Sequence, residues 1–190
     1  MLPVKRKPRA GVDVDGVICN LHDELIRIAK RHFKVDISLD SWDFDSSFSK
    51  EDASLFCSIV GEPGLHSILK PYKGALQGMM KLQEVADVYI VTSHLSHGPT
   101  WVHERDRWIQ DLFQISDKKI VHTKAKYTFF GDILVDDKPS NCESWSEEHN
   151  KTSVLWAQPY NEKHQVKESV KDKIIRTNSW SDVVEMVRKL

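Results

Sequence analysis

Two kinds of hydrophobic pattern alternate along the chain. Short, nearly continuous apolar runs lead into Asp13 (Ala10-Gly11-Val12), fill Asp87 to Ser93, and fill Asp132 to Val135. Such runs predict strands buried on both faces, which favours a parallel sheet. Between them, apolar residues recur at helical spacing. Leu21, Leu25, Ile28 and Ala29 share one side of a helix predicted over 21–33. Ser49 followed by Asp52 opens a second helix over 50–59, which Gly61-Glu62-Pro63-Gly64 ends, and a short helix follows over 65–69. A turn at Lys70-Pro71-Tyr72-Lys73-Gly74 precedes a helix over 75–84, and another helix is predicted over 101–113. Lys119 to His122, Ser153 to Trp156 and Lys173 to Arg176 read as shorter strands. Ser181 is the expected cap of a last helix running through Lys189.

This alternation of strand and helix argues for an α/β fold around a parallel sheet. The span between the first strand and the Asp87 strand exceeds a simple crossover. Its helical pieces suggest a small helical cap, residues 21–71, inserted into a core made of residues 1–20 and 72–190. Ligands of open α/β sheets bind at the carboxyl ends of the strands. Asp13/Asp15, Thr92/Ser93 and Asp136/Asp137 all fall at such ends.

Composition narrows the class without deciding it. With 190 residues the chain fits one domain carrying a small insertion, and its 40% hydrophobic and 29% charged content is ordinary for a soluble globular protein. A formal net charge of -1 gives no reason to expect a polyanion-binding surface. Cys19, Cys57 and Cys142 are scattered without CxxC spacing, which suggests reduced thiols in a cytoplasmic compartment. The basic, proline-broken start, Met1 to Arg9, lacks the apolar centre of a signal peptide and reads as a solvated lead-in. It is also the one feature that keeps nucleic acid in view as a partner. No apolar run reaches membrane-spanning length.

The chemistry gathers around the first strand. Side chains at i and i+2 of an extended segment point the same way, so Asp13 and Asp15 are expected to face one pocket. Gly16 lets the chain turn tightly behind them. Alone, this pattern also fits a solvated Asp-rich turn. Joined by Asp136 and Asp137 it places four carboxylates in one crevice, and their mutual repulsion calls for a hard cation. An all-oxygen set suits Mg²⁺, which commonly presents a phosphate. Lys126 would add positive charge, and Thr92 or Ser93 a hydrogen bond to a phosphoryl oxygen. These are the parts of phosphoryl transfer, in which positioning and charge neutralisation do most of the work.

Asp13-Val14-Asp15-Gly16-Val17, the apolar strand ending in Thr92-Ser93, Lys126, and the strand ending in Asp136-Asp137 resemble, in order, the four motifs of the haloacid dehalogenase-like hydrolases. Leu69 to Ala75, the Lys126-to-Asp137 spacing, Val154-Leu155-Trp156 and Asn178 to Asp182 are further similar to the 5'(3')-deoxyribonucleotidase branch. The resemblance implies a Rossmann-like parallel sheet flanked by helices, with the small cap after the first strand. It also implies that Asp13 is the nucleophile, and that Asp15 protonates the leaving oxygen and then activates water. Implied ligands of Mg²⁺ are Asp13, the backbone carbonyl of Asp15, and Asp137, with Asp136 acting through water or from behind the ligands; which of Asp136 and Asp137 binds directly is left open. Thr92 takes the motif hydroxyl role, Ser93 and His94 reach the phosphate or leaving group, and Lys126 stabilises charge. The implied activity is hydrolysis of nucleoside, chiefly deoxynucleoside, monophosphates. Polynucleotide 3'-ends and sugar phosphates are the alternatives, and a homodimer is one compatible assembly.

Trp42 and Phe44 fall where the nucleotidases set aromatics against the base, with packing as the competing reading for them and the leading one for Phe48. Asp43 and Asp45 interrupt this aromatic run, leaving base and sugar preference open. His94, His97 and His103 read as solvated histidines rather than a transition-metal site. Trp101, Arg105, Trp108, Ile109 and Leu112 read as core packing plus an exposed arginine, and Trp145 and Trp156 as packing residues. Cys19 lies near the pocket without the basic neighbours of a reactive thiol. A phospho-accepting receiver also uses acids, a hydroxyl and a lysine, but the order of motifs here is wrong for one.

Overall fold

The structure, a computed structural model, describes residues 6–38, 40, 47–95 and 98–190. Six strands form one parallel sheet: β1 (Arg9–Val12), β2 (Asp87–Thr92), β3 (Ile120–His122), β4 (Ile133–Asp136), β5 (Ser153–Trp156) and β6 (Ile174–Thr177). Their order across the sheet is β3-β2-β1-β4-β5-β6. The α/β class and parallel sheet predicted from the apolar runs are borne out. β4 and β5 are buried at every residue, while the edge strands β3 and β6 are only partly covered, so apolar continuity falls away toward the edges. The chain runs from β1 through β2 to β3 on one side, then returns to place β4 on the other side of β1. That reversal leaves a crevice between the carboxyl ends of β1 and β4.

Among the described residues seven α-helices accompany the sheet: α1 (Leu21–Phe33), α2 (Lys50–Val60), α3 (Leu65–Ile68), α4 (Ala75–Val85), α5 (Trp101–Phe113), α6 (Pro139–His149) and α7 (Trp180–Arg188). α2 starts as its sequence predicts, with the Asp52 amide donating to Ser49 Oγ at 3.1 Å. α7 starts two residues earlier than expected. Ser179, not Ser181, receives the Asp182 amide, and the Ser181 hydroxyl pairs with that of Ser179 instead. α6 lies in a stretch where the hydrophobic pattern predicts no element. Its buried positions include Glu143 and Ser146 beside Cys142 and Trp145, so the apolar stripe that normally betrays a helix is broken. Ser146 is satisfied by Ser153 at 2.8 Å, and Trp145 Nε1 donates to the Phe129 carbonyl at 2.9 Å.

Trp145 and Trp156 are buried, as packing residues should be. α4 packs against α7, where a Cβ on Gly78 would overlap the Trp180 ring. Phe48 stacks on Phe56 at 4.9 Å and meets Phe33 edge-on, so it serves packing. The excursion carrying α1, α2 and α3 leaves and rejoins the body at one stem. The Asn20 amide donates to Lys70 O at 3.1 Å, the Lys70 amide to Asn20 Oδ1 at 2.8 Å, and the Tyr72 amide to Ile18 O at 3.0 Å. No helix among the described residues is long and apolar enough to cross a membrane.

Candidate active site

The crevice is built from the two neighbouring strand ends. Beyond β1 the Asp13 amide donates to the Val135 carbonyl at 2.9 Å, tying the first acid to β4. The chain then turns under the Val14 carbonyl, which accepts the amides of Ile18 and Cys19, each at 2.9 Å. Gly16 makes this turn at φ 74°, in the left-handed region. A Cβ there would also overlap Asp137 Oδ2 and the Tyr160 hydroxyl, so glycine is required by conformation and by space.

Oxygen atoms of Asp13, Asp136 and Asp137 lie within 4.8 Å of one another, and all three residues are buried. Lys126, itself buried on a short 3-10 turn, bridges two of them. Its Nζ stands 2.5 Å from Asp13 Oδ2 and 2.6 Å from Asp136 Oδ2. Asp136 is further held by the Lys138 amide at 2.9 Å and by Asn141 Nδ2 of α6 at 3.0 Å. Asp137 receives the Tyr160 hydroxyl, and its carbonyl accepts Asn161 Nδ2 at 2.7 Å. Tyr160 stacks on His22 at 4.7 Å, and Gln158 Nε2 donates to the Gly16 carbonyl at 2.5 Å.

Charge in this crevice is unbalanced. Burial pushes Asp13 up to about 7; Lys126 opposes that shift, while Asp136 and Asp15 add to it. Asp137 is also pushed well up, by burial first and then by Asp136 and Asp13. Burial works against the Lys126 charge, but the two carboxylates outweigh it and raise its pKa. Three buried acids against one lysine form an all-oxygen donor set short of positive charge. That donor set fits a hard divalent cation.

Asp15 does not join this cluster by direct contact. Its carboxylate is gripped from the other side by Arg105, with Nη1 2.6 Å from Oδ2 and Nη2 3.0 Å from Oδ1. Thr92, fully buried, accepts from the same Nη1 at 2.9 Å, and Arg105 Nε donates to His66 Nε2 at 3.1 Å. Arg105 is therefore the reverse of the exposed arginine expected from the sequence: it is 0% exposed. It lies on the same helical stripe as Trp101, Trp108 and Ile109, and position on a buried stripe was the signal that marked it. Leu112, grouped with that stripe in the sequence, instead faces solvent. The Arg105 charge survives burial because the Asp15 pair outweighs desolvation and raises its pKa. Burial, then the guanidinium, pushes His66 down to about 4 and keeps it neutral.

The remaining expected residues are placed unevenly. The Ser93 hydroxyl donates to the Thr123 carbonyl at 3.3 Å. His94 is exposed, with its ring 6.5 Å from that of His122. His103 is exposed on α5, while Trp42, Phe44 and His97 lie outside the described residues. Cys19 is buried, and burial raises its pKa, as befits an unreactive thiol. Asn141, Tyr160 and Asn161 escaped the sequence reading because nothing in their local pattern places them at a distant strand end.

The fold is shared with the putative hydrolase YfnB of Bacillus subtilis, solved bound to magnesium (TM-score 0.60, 12% identity, 96% of this chain and 99% of that one). It is shared equally with the haloacid dehalogenase-like protein SP0104 of Streptococcus pneumoniae (TM-score 0.61, 10% identity, 95% and 98%). In sequence, the human cytosolic-type 5'(3')-deoxyribonucleotidase is 29% identical over 144 residues, 70% of this chain and 72% of its own. A putative 5'(3')-deoxyribonucleotidase of Staphylococcus aureus is 26% identical over 177 residues, 90% and 91% of the two chains. The model of one family of phosphoric monoester hydrolases matches residues 7–190, and the chain belongs to that family: the 5' nucleotidase, deoxy (Pyrimidine), cytosolic type C proteins.

Proposed function

We propose that this protein is a Mg²⁺-dependent phosphatase of nucleoside, chiefly deoxynucleoside, monophosphates that works through an aspartyl-phosphate on Asp13. The observation that carries this reading is the buried Asp13–Asp136–Asp137 cluster, bridged by Lys126 at the sheet's switch point. Asp13, Asp136, Asp137 and the backbone carbonyl of Asp15 would hold the cation. When bound, Mg²⁺ supplies the positive charge that the three acids lack and draws the phosphate to them.

The chain's own groups then account for the reaction. An Asp13 carboxylate oxygen forms a bond to phosphorus while the bond from phosphorus to the nucleoside oxygen breaks. The electron pair leaves with that oxygen, which takes a proton from Asp15. Water next attacks the phosphorus, Asp15 accepts its proton, and the bond to Asp13 breaks to regenerate the carboxylate. Lys126 holds Asp13 in line and offsets charge on the transferring group. Thr92, Ser93 and His94 complete the phosphate end of the site.

Residues 21–71 would form the cap, and the closed stem at Asn20 and Lys70 supports treating them as one inserted unit. Trp42 and Phe44 would supply the base platform. Stacking of a base on an aromatic ring is worth ~1–3 kcal/mol in single-strand binders, enough to favour a nucleotide over a bare sugar phosphate.

The test is phosphate release from a panel of 5'- and 3'-deoxynucleotides, ribonucleotides, 3'-phosphorylated oligonucleotides and sugar phosphates, with and without Mg²⁺. Deoxynucleoside monophosphates should lead, Mg²⁺ should be required, and Asp13→Asn should abolish turnover. Near-normal turnover by Asp13→Asn would overturn the mechanism, and preference for oligonucleotides or sugar phosphates would overturn the substrate.

A further inference from the structure

Arg105 spends all three of its guanidinium nitrogens on the protein. Nη1 and Nη2 take the two oxygens of Asp15, Nη1 also reaches the Thr92 hydroxyl, Nε donates to His66, and the plane lies 4.8 Å from the Trp101 ring. Asp15 keeps 21% of its side chain exposed while Arg105 keeps none. The grip therefore comes from the buried side and leaves the other side of the carboxyl open. Each carboxylate oxygen has a second lone pair, so the clamp fixes the plane of Asp15 without using up its capacity to carry a proton.

We infer that Arg105 is a positioning residue for the reaction: it orients the Asp15 carboxyl and the Thr92 hydroxyl together, and it is itself aimed by His66 of α3. This rests on the proposed role of Asp15 as the acid that protonates the leaving oxygen. Two fixed contacts to one carboxylate demand a planar fork. A lysine in the same place keeps the charge but supplies one nitrogen for four acceptor atoms. His66 matters because its acceptor on Nε is what sets the rotation of the fork. Neutral His66 accepts there, and its own Nδ1 proton faces Glu104 Oε2 at 3.5 Å.

The experiment compares kcat/KM for a deoxynucleoside monophosphate with kcat/KM for two activated phosphates, p-nitrophenyl phosphate and acetyl phosphate. Activated leaving groups depart without a proton, so they do not need Asp15 as an acid. Arg105→Lys should lower the nucleotide value about 10- to 100-fold more than the activated ones, the scale of a misplaced catalytic group. His66→Leu should move the same ratio in the same direction by less, and His66→Gln, which keeps an acceptor, should restore it. Asp15→Asn is the reference. If it shows the leaving-group dependence and neither Arg105→Lys nor His66→Leu does, this inference falls alone. If Asp15→Asn itself lowers both classes equally, the reading of Asp15 as the acid falls first. Should Arg105→Lys fail to fold, as judged by circular dichroism, the His66 pair decides the same question. Equal losses on nucleotide and activated phosphates would mark a merely structural role and overturn the assignment.

Discussion

His66 makes the stability of this protein depend on pH in a way that can be worked out from its surroundings. Its ring is 3% exposed, meets Trp101 edge-on at 4.7 Å, and accepts the Arg105 Nε proton at 3.1 Å. Protonation would put a second N–H against that donor and a second positive charge beside the guanidinium, in a buried site. Burial and Arg105 outweigh the nearby Asp15 and Glu104, and the pKa falls from 6.5 to about 4. Between those values the unfolded chain holds a proton that the folded chain refuses, so stability rises with pH across the window. The contribution is complete above about pH 6.5 and is lost progressively as pH falls through about 4. At ~1.36 kcal/mol per pK unit the difference amounts to about 3 kcal/mol. Urea unfolding of the native protein and of His66→Gln at about pH 7, about pH 5 and about pH 4 measures it, because glutamine keeps an acceptor without titrating. The native protein should lose about 3 kcal/mol more than the variant across the window. His22 is shifted the same way by burial and cancels in the comparison. Parallel losses, or a His66 imidazole titrating near its ordinary value by NMR, would refute the reasoning.

Three further outcomes test the packing around the site. Gly16→Ala should cost about 1–2 kcal/mol for its left-handed backbone, and its Cβ should displace Asp137, lowering deoxynucleotide turnover about a hundredfold; unchanged kinetics would contradict the overlap. Asn161→Leu removes the donors to the Asp137 and Trp156 carbonyls and the acceptor of the Gln158 amide, all at 3.1 Å or less. It should destabilise by at least about 2 kcal/mol in urea and weaken Mg²⁺ binding measured by calorimetry. Gly78→Ala drives a methyl into the Trp180 ring between α4 and α7, so thermal unfolding should report a loss of about 1–3 kcal/mol with kcat intact.

The sheet was legible because its central strands are apolar runs with no competing helical period. β4 and β5 are buried on both faces, and their sequences, Ile133 to Asp136 and Ser153 to Trp156, are too short and too continuous to be amphipathic helices. The acids were legible for a related reason: charge directly after such a run has nowhere to go but the strand end. What stayed hidden depends on contacts between distant segments. α6 lacks an apolar stripe because Ser146 and Glu143 occupy buried positions satisfied by Ser153, His164 and the Lys167 amide, partners that lie outside the helix. The start of α7 slipped by two residues because three of the four residues from Ser179 to Asp182 are competent caps. Arg105 is hard to place from sequence because its charge argues for exposure while its position on the stripe argues for burial. In a helix whose neighbours at that face are Trp101, Trp108 and Ile109, a buried arginine signals an acid that needs it.

Two cations with different shapes flank the strand end, and the division between them follows from what each can bond. Lys126 presents a compact ammonium between Asp13 and Asp136 and holds two carboxylates together from one point. Arg105 presents a planar fork to the single carboxylate of Asp15 and takes Thr92 and His66 with its remaining donors. The ammonium gathers acids from β1 and β4, where the proposed reaction needs charge concentrated. The guanidinium separates Asp15 from that cluster, where the same reaction needs a carboxyl that carries a proton rather than a ligand. Asp13 and Asp15, two residues apart at one strand end, thus meet different partners that arrive from opposite directions: Lys126 before β4, and Arg105 on the helix that follows β2. Exchanging the two cations would leave the net charge unchanged and lose both functions, because each site is defined by the geometry of its donors rather than by their sign.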